Sequence, residues 1–132
     1  MTERRFELAL ASFEKALGRL HEVLAENETD IVRDALIQRF EFTFETGWKA
    51  MFRWLRARGA AVDDEAFSVL PRAFANRLIT DEAGWTELRK KRNLTAHTYK
   101  EELAVEVAAL VRAQGVQLFD DLLRTLKARA DE

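Results

Sequence analysis

The residues best suited to chemistry lie in one short stretch, Arg92–Tyr99, with the sequence RNLTAHTY. It holds one of the two histidines of the chain and its only tyrosine. An arginine can bind a phosphate through paired hydrogen bonds, and histidine, with an ordinary pKa of about 6.5, can exchange a proton near neutral pH. The stretch therefore predicts phosphate chemistry, with Arg92 as the phosphate ligand and His97 as the proton-transfer group.

A basic run, Arg89-Lys90-Lys91, directly precedes this stretch. Cations at the end of a helix are favoured by the helix dipole, which gives the run a purely structural interpretation. The same three side chains would also suit contacts to the phosphates of RNA. The sequence leaves both interpretations open.

The spacing around His97 predicts how the stretch is held. Thr98 is followed three residues later by Glu101, the spacing of a capping box, so a long helix is expected to begin at about Tyr99. Arg92 ends the preceding helical segment. His97 is thus expected beside the free backbone donors of a helix start, where anions bind.

Apolar periodicity predicts the helices that must position this corner. The expected segments are about residues 3–26, 30–58, 81–92 and 99–128, with a brief helix capped by Ser68 in which Pro71 falls in the first turn and Phe74, Leu78 and Ile79 face inward. We predict an all-α fold, an up-and-down four-helix bundle with one additional short helix, in a single domain over residues 1–132. The core stripe of the second helix is expected to contain Leu36, Phe40, Phe44, Trp48, Met51, Phe52 and Leu55.

Three details of the helices carry further expectations. Phe42 points away from Phe40 and Phe44, so another helix or a second subunit is expected to cover it. Gln114-Gly115 interrupts the last stripe, which indicates a close helix crossing or a partner contact. Glu-x-x-His pairs of the kind that build di-metal bundles are absent, so no metal site is predicted.

Composition narrows the class of protein. Charged residues make up 33% and apolar residues 48%, and five glycines with one proline argue against a turn-rich β architecture. The chain has no cysteine, which excludes disulfides and fits a reducing compartment. We expect a cytoplasmic protein without a signal peptide or a membrane span. Because the net charge is −2, any binding to nucleic acid must use a local basic patch.

Several motifs occur together in a family order. They are Gln38–Glu45 with Trp48-Lys49, then Pro71–Phe74, Trp85, Arg92-Asn93 and His97-Thr98-Tyr99. On these residues the chain resembles the HEPN superfamily, and most closely its branch of nucleotidyltransferase substrate-binding proteins, relatives of the HepT toxins. The resemblance extends over most of the chain.

The resemblance implies an assembly and a set of roles. It implies a HEPN-like homodimer whose Arg-His corners face each other across a groove, and a partner nucleotidyltransferase that adenylylates Tyr99. It also implies that the stretch from Arg39 to Glu45 packs near His97. The residues expected to support or orient the corner are Arg39, Glu41, Glu45, Asn93 and Thr98. Without the resemblance, Glu41 and Glu45 would be an ordinary solvated face, with Glu45 paired to Lys49 four residues on.

The leading functional hypothesis is a metal-independent endoribonuclease, the toxin half of a toxin–antitoxin pair, that needs no cofactor. Arg92 and His97 would be catalytic, and Arg89, Lys90 and Lys91 would bind RNA. The alternative is a non-catalytic, nucleotide-binding or substrate-binding subunit of a separately encoded minimal nucleotidyltransferase. A third interpretation is a plain helical dimerisation module. Only the first predicts RNA cleavage that resists chelators.

Overall fold

Residues 2–130 are described by the computed structural model, and within them every regular element is helical. The helices are α1 (Thr2–Leu24), α2 (Asp30–Ala57), α3 (Ala66–Ala75), α4 (Glu82–Leu94), α5 (Glu101–Leu110) and α6 (Val116–Ala128). A 3₁₀ turn, Thr95–His97, follows α4, and a π-helical turn, Val111–Gly115, joins α5 to α6. The predicted all-α helical bundle is confirmed.

Aromatic rings from four helices meet at the centre of the bundle. Phe119 of α6 lies 6.4 Å from Phe13 of α1, 6.2 Å from Phe40 of α2 and 5.5 Å from Trp85 of α4, between ring centroids. Trp85 is in turn 6.1 Å from Phe44. All five side chains are at most 1% exposed. Edge-to-face and tilted pairs of this kind add to the stabilisation from burial alone.

The second helix follows its sequence pattern closely. Thr29 caps it by accepting a hydrogen bond from the backbone N–H of Val32 at 3.1 Å, and Gly59, with φ of +84°, lies just past its end. The whole predicted core stripe of this helix is buried. Phe42, however, is 56% exposed, so no other helix of the described chain covers it.

The third helix departs from its prediction. It begins at Ala66, and Glu65 occupies the N-cap position without a side-chain capping hydrogen bond. The Ser68 hydroxyl lies inside the helix and donates to the Glu65 carboxylate at 3.3 Å. Pro71 is therefore the sixth helical residue, and the prediction that it falls in the first turn is wrong. The buried face of this helix is formed by Val69, Leu70 and Ala73, so Phe74 is 44% exposed, contrary to prediction. Leu78 and Ile79 are buried as expected.

The last helical segment is held close to α4 at Gly115. A Cβ at this position would lie 3.2 Å from Cδ2 of Leu88, so only glycine allows the observed approach without a shift of the leucine. The close helix crossing predicted at Gln114-Gly115 is confirmed. The π turn that absorbs the crossing was not predicted, and such turns occur mostly as single insertions inside α-helices.

The helices of the described chain are too short or too polar to serve as membrane spans.

Candidate functional site

The stretch Arg92–Tyr99 forms a corner between α4 and α5, and we call it the corner. The helix that leads into it, α4, is capped by Asp81, whose carboxylate accepts a hydrogen bond from the backbone N–H of Gly84 at 2.8 Å. Past Leu94 the chain tightens into the 3₁₀ turn instead of continuing as an α-helix. Buried Thr95 closes this turn, because its hydroxyl donates to the carbonyl of Arg92 at 2.7 Å.

The predicted capping box at Thr98 does not form. The Thr98 hydroxyl donates to the carbonyl of Thr95 at 3.0 Å, so it completes the 3₁₀ turn and does not cap the next helix. The next helix starts at Glu101, with Lys100 as its N-cap residue and without a side-chain cap. The prediction of a helix start at Tyr99 is therefore wrong by two residues, and His97 lies further from that helix than expected.

Arg92 is the best-anchored side chain of the corner. Its Nε donates to Oε1 of Glu45 at 3.0 Å, and its Nη1 donates to the Thr95 hydroxyl at 3.0 Å. Nη1 also lies 3.2 Å from Oε2 of Glu41, which makes an ion pair. The side chains of Arg92 and Glu41 are 30% and 31% exposed. The guanidinium is thus held in one orientation between α2 and α4.

Glu45 links this ion pair to the core. Its Oε2 accepts a hydrogen bond from Nε1 of Trp48 at 3.0 Å, while its Oε1 accepts from Arg92. The simple i,i+4 ion pair of Glu45 with Lys49 does not form, because both carboxylate oxygens of Glu45 have other partners. With two carboxylates beside one guanidinium, the formal charge of the group is −1.

His97 and Tyr99 occupy the open side of the corner. Their rings are 6.2 Å apart between centroids, at an interplanar angle of 70°. His97 is exposed, and Tyr99 is 79% exposed. The two predicted catalytic side chains, Arg92 and His97, lie in the same corner, and no hydrogen bond joins them within residues 2–130.

Two of the predicted supporting residues make no side-chain hydrogen bond or ion pair with the corner. Arg39 donates to the carbonyl of Arg19 at 2.7 Å and lies 3.6 Å from Glu22, so it binds α1 instead of the corner. The prediction that Arg39 orients the corner is wrong, since its position on α2 turns it to the opposite side from Glu41. Asn93 is exposed on the last turn of α4, and its side chain has no hydrogen bond to any described residue.

The basic run at the end of α4 is largely neutralised. Nζ of Lys91 donates to Glu106 at 2.8 Å and lies 3.8 Å from Glu87. Lys90 lies 3.7 Å from the same Glu87. The hydrogen bond to Glu106 raises the pKa of Lys91 above its ordinary value. Arg89 makes no ion pair within the described range, so it alone of the three retains a charge without a local partner.

The surface next to the corner is acidic. A shallow hollow of about 400 Å³ beside Thr98 is lined in part by Asp34 and Glu41. A second hollow of about 320 Å³ beside Tyr99 includes Asp30 and Glu101. No group of three or more potential metal ligands occurs among residues 2–130.

Sequence reasoning missed two partners of Arg92 and Glu45. Thr95 fixes Arg92 from inside the same turn, and Trp48 fixes Glu45 from α2. A threonine three residues after an arginine at a helix end is a weak signal that was present in the sequence. Trp48 is 7% exposed, and an apolar pattern that places its ring in the core gives no information about its polar edge.

Comparisons with known proteins agree on one family. A family model described as nucleotidyltransferase substrate binding protein like matches residues 4–128. A curated protein from Haemophilus influenzae, named "Probable ribonuclease HepT", is 36% identical in an alignment of 92 residues that covers 64% of this chain. The chain covers 63% of the length of that relative.

Two solved structures share the fold. A protein of Thermus thermophilus has a TM-score of 0.73 and 32% identity, over 91% of this chain and 99% of that one. A Haemophilus influenzae protein, described as the substrate binding domain of a nucleotidyltransferase, has a TM-score of 0.69 and 27% identity, over 95% and 98% of the two chains.

Proposed function

The chain belongs to the nucleotidyltransferase substrate-binding-like family, and from this premise we propose that it is a HepT-like, metal-independent endoribonuclease controlled by a separate nucleotidyltransferase. One observation carries the proposal. Arg92 is fixed by Glu45 and Thr95 at a corner where His97 is exposed and has no ion-pair partner among residues 2–130. A fixed cation beside an open imidazole is a minimal set of groups for transfer at phosphorus.

Arg92 keeps donors for a phosphate despite its two carboxylate neighbours. Its hydrogen bonds to described residues use Nε and Nη1. The two N–H groups of Nη2 therefore remain for a non-bridging phosphate oxygen. Because Glu45 and Thr95 already fix the plane of the guanidinium, little side-chain entropy is lost when the phosphate binds.

RNA cleavage at this corner would need two proton transfers. The 2′-oxygen attacks the neighbouring phosphorus as its proton passes to a base, the bond from phosphorus to the 5′-oxygen breaks, and the leaving oxygen takes up a proton. The products are a 2′,3′-cyclic phosphate and a 5′-hydroxyl. His97 suits either transfer, and a second copy of the chain would supply the other imidazole. The proposal therefore includes a symmetric homodimer whose corners face each other.

Tyr99 is the proposed acceptor of an adenylyl group. Its side chain is 79% exposed at 6.2 Å from the His97 ring, so the phenol is accessible to a second enzyme. The phenolic oxygen would attack the α-phosphorus of ATP and release pyrophosphate, with the phenolic proton passing to a base of the nucleotidyltransferase. The bulky, charged adenylyl group would then obstruct access of RNA to His97.

RNA cleavage in the presence of a chelator tests the nuclease. The purified chain is incubated with a labelled RNA in excess EDTA, and the 3′ ends of the products are analysed. We expect cleavage with cyclic phosphate ends that is lost in His97→Ala. Equal cleavage by His97→Ala and by the wild type would refute the assignment of His97.

Mass spectrometry tests the control by adenylylation. The chain is mixed with its nucleotidyltransferase, ATP and magnesium, and the intact protein is weighed. We expect the mass of one or more adenylyl groups on the wild type and none on Tyr99→Phe, which should retain full nuclease activity. Modification of Tyr99→Phe to the same extent would place the acceptor elsewhere.

A second function is favoured by the negative charge around Arg92. With Glu41 and Glu45 both within 3.2 Å of its guanidinium, Arg92 is already neutralised, as in a structural ion pair. The chain would then be a non-catalytic subunit that presents a substrate to the nucleotidyltransferase, in line with the description of its Haemophilus influenzae structural relative. This function predicts binding to the nucleotidyltransferase without any RNA cleavage.

A further inference from the structure

A basic groove runs between α1 and α2, on a face that the proposed chemistry does not use. It consists of two adjoining hollows, of about 390 Å³ and 270 Å³, which share Ser12 as a wall. The first hollow contains Lys15, Arg19 and Arg39, and the second contains Lys49 and Arg53. We call this surface the α1–α2 groove.

Most of the cations of the groove lack a counter-charge. No ion pair to a carboxylate forms at Lys15, Arg19, Lys49 or Arg53 within the described part of the chain. Arg39 is partly neutralised by Glu22 at 3.6 Å. Among the described residues that line the two hollows, Asp64 is the single acid. In a protein whose net charge is −2, this is a local concentration of positive charge.

Two of these cations are oriented by aromatic rings instead of acids. Nζ of Lys49 lies 5.7 Å from the centroid of the Trp48 ring, and Cζ of Arg53 lies 5.2 Å from that of Phe52. Contacts of this kind position a cation without cancelling its charge. Lys49 is exposed and Arg53 is half-buried, so both charged groups remain accessible.

An exposed aromatic ring stands in the wall of the groove. Phe42 is 56% exposed and lines the same hollow as Lys15, Arg19 and Arg39. A large apolar side chain in a basic surface is costly to leave in water, and it offers a flat face on which a nucleobase can stack. The combination of unneutralised cations and one open ring is typical of surfaces that bind single-stranded nucleic acid.

The length of the groove suits an extended strand. Arg39 and Arg53 are both on α2 and are separated by about 21 Å at 1.5 Å per residue, so the surface spans several nucleotides. A duplex would keep its bases stacked inside and leave Phe42 without a partner. The groove therefore favours a single strand whose bases are free to turn outward.

We propose that the α1–α2 groove binds single-stranded RNA, with phosphates at Lys15, Arg19, Lys49 and Arg53 and a base stacked on Phe42. The choice of RNA over other single strands rests on the proposed nuclease function. In this arrangement the groove holds the substrate strand and the corner cleaves it. The groove then takes the binding role that the sequence suggested for Arg89, Lys90 and Lys91.

Fluorescence anisotropy with a labelled oligouridylate tests the proposal separately from catalysis. All variants carry His97→Ala, so the probe is not cleaved. The groove variant is Lys15→Glu/Lys49→Glu, and the matched control is Arg89→Glu/Lys90→Glu, which makes the same change of charge at the end of α4. Titrations are run at several salt concentrations, and circular dichroism checks that each variant is folded.

The groove variant should weaken binding about tenfold or more. The slope of log Kd against log salt should also fall by about 1.4, which corresponds to two lost phosphate contacts on a single strand. The control should change Kd less than about threefold. Phe42→Ala should weaken binding about tenfold with little change of the salt slope, since stacking is not electrostatic.

Two results would overturn the proposal. The first is an equal loss of affinity in the groove variant and the control, which would show that the loss comes from the change in net charge and not from the groove. The second is unchanged RNA affinity together with a change in molar mass measured by light scattering, which would identify a second copy of the chain as the occupant of the groove. If the charge-reversed variant fails to fold, Lys15→Gln/Lys49→Gln replaces it, with Arg89→Gln/Lys90→Gln as its control.

Failure of the nuclease assignment gives a different pattern. If His97→Ala cleaves RNA like the wild type while the groove variant still loses affinity for the oligouridylate, the groove proposal stands and His97 is not catalytic. If the wild type never cleaves RNA while the groove variant still loses affinity for the oligouridylate, the groove proposal again stands, and the chain is a binding subunit.

Discussion

The corner and the α1–α2 groove lie on different faces of α2 and treat positive charge in opposite ways. At the corner, Arg92 is held by Glu41 and Glu45 within 3.2 Å, and its net surroundings are negative. In the groove, Lys15 and Lys49 have no carboxylate partner among residues 2–130. The corner thus fixes the orientation of a cation with carboxylates that offset its charge, while the groove holds cations that keep their charge because they have no carboxylate partner.

In the proposed nuclease, this difference would separate two requirements for action on a polyanion. Orientation matters most where bonds break, because a transition state is stabilised only by groups already in position. Charge matters most where the strand is collected, because attraction to phosphates acts over a distance and does not need fixed geometry. We therefore expect changes at the corner to lower kcat and changes in the groove to raise KM.

The largest effect on RNA cleavage is expected from His97→Ala at the corner. If His97 transfers a proton in the cleavage step, its removal should lower kcat by about 10²- to 10⁴-fold. KM should stay within about twofold, because the groove is untouched. Asn93→Ala is the matched control, since Asn93 is also exposed at the corner and makes no hydrogen bond to a described residue. A rise in KM without loss of kcat would show that His97 binds RNA and does not catalyse its cleavage.

A smaller effect is expected from Glu45→Gln. The carboxylate accepts from Arg92 through one oxygen and from Trp48 through the other, both at 3.0 Å. A glutamine offers one acceptor and one donor, so one of these two hydrogen bonds must break and Arg92 loses its fixed plane. We expect kcat to fall about 10-fold, the equivalent of about 1.4 kcal/mol, within the usual range for a charged hydrogen bond.

Glu41→Gln provides the comparison for that measurement. Glu41 makes an ion pair with Arg92 at 3.2 Å but no hydrogen bond to its Nε, so its replacement should cost less than the replacement of Glu45. If both substitutions raised the affinity for RNA without lowering kcat, Arg92 would attract RNA through its charge, and its fixed orientation would not contribute to cleavage.

Gly84→Ala tests how much the capped start of α4, the helix that leads into the corner, contributes to the stability of the fold. A Cβ here would lie 2.5 Å from Oδ2 of Asp81 and 3.0 Å from Cδ1 of Leu118. The carboxylate would have to move and give up its capping hydrogen bond to the Gly84 N–H. We expect a loss of about 1 kcal/mol in the free energy of unfolding, measured by urea titration. Binding of RNA to the groove, which lies on α1 and α2, should not change. Gly18→Ala is the control, since nothing lies within 4 Å of a Cβ there.

The fold was more predictable than the corner, and α2 shows why. Its apolar residues recur with the period of a helix and are numerous, so no single exception obscures the buried face. The start of α5 depends instead on one hydroxyl. Thr98 had a capping partner three residues ahead in Glu101 and a carbonyl three residues behind in Thr95, and the structure uses the second. Spacing alone does not decide between two local hydrogen bonds of similar strength.

Charged residues were harder still to place from the sequence. The sequence predicts both Arg39 and Arg92 at the corner, Arg39 as a supporting residue and Arg92 as the phosphate ligand. Only the packing of α2 shows that Arg39 contacts α1 while Arg92 contacts the carboxylates. The groove was not predicted at all, because its cations come from two helices and form no run in the sequence. Lys90 and Lys91 do form a run, yet they lie beside Glu87 and Glu106.

The smallest expected effect is a change in stability on removal of the ion pair between Lys91 and Glu106. Its pH dependence tests whether Lys91 of the basic run is neutralised, unlike the lysines of the groove. The hydrogen bond from Lys91 to Glu106 at 2.8 Å raises the pKa of Lys91 above its ordinary value of 10.5 in the folded state. Stability from this pair is therefore fully present below pH 10.5 and is lost as the pH rises through the higher folded pKa. Glu106→Gln should lower the free energy of unfolding by about 0.5 kcal/mol near neutral pH, and the difference from the wild type should shrink in strong alkali. Urea titrations of both proteins across this range measure it. A constant difference at every pH would mean that Glu106 stabilises the helix without pairing with Lys91, and it would return Lys91 to the candidates for binding RNA.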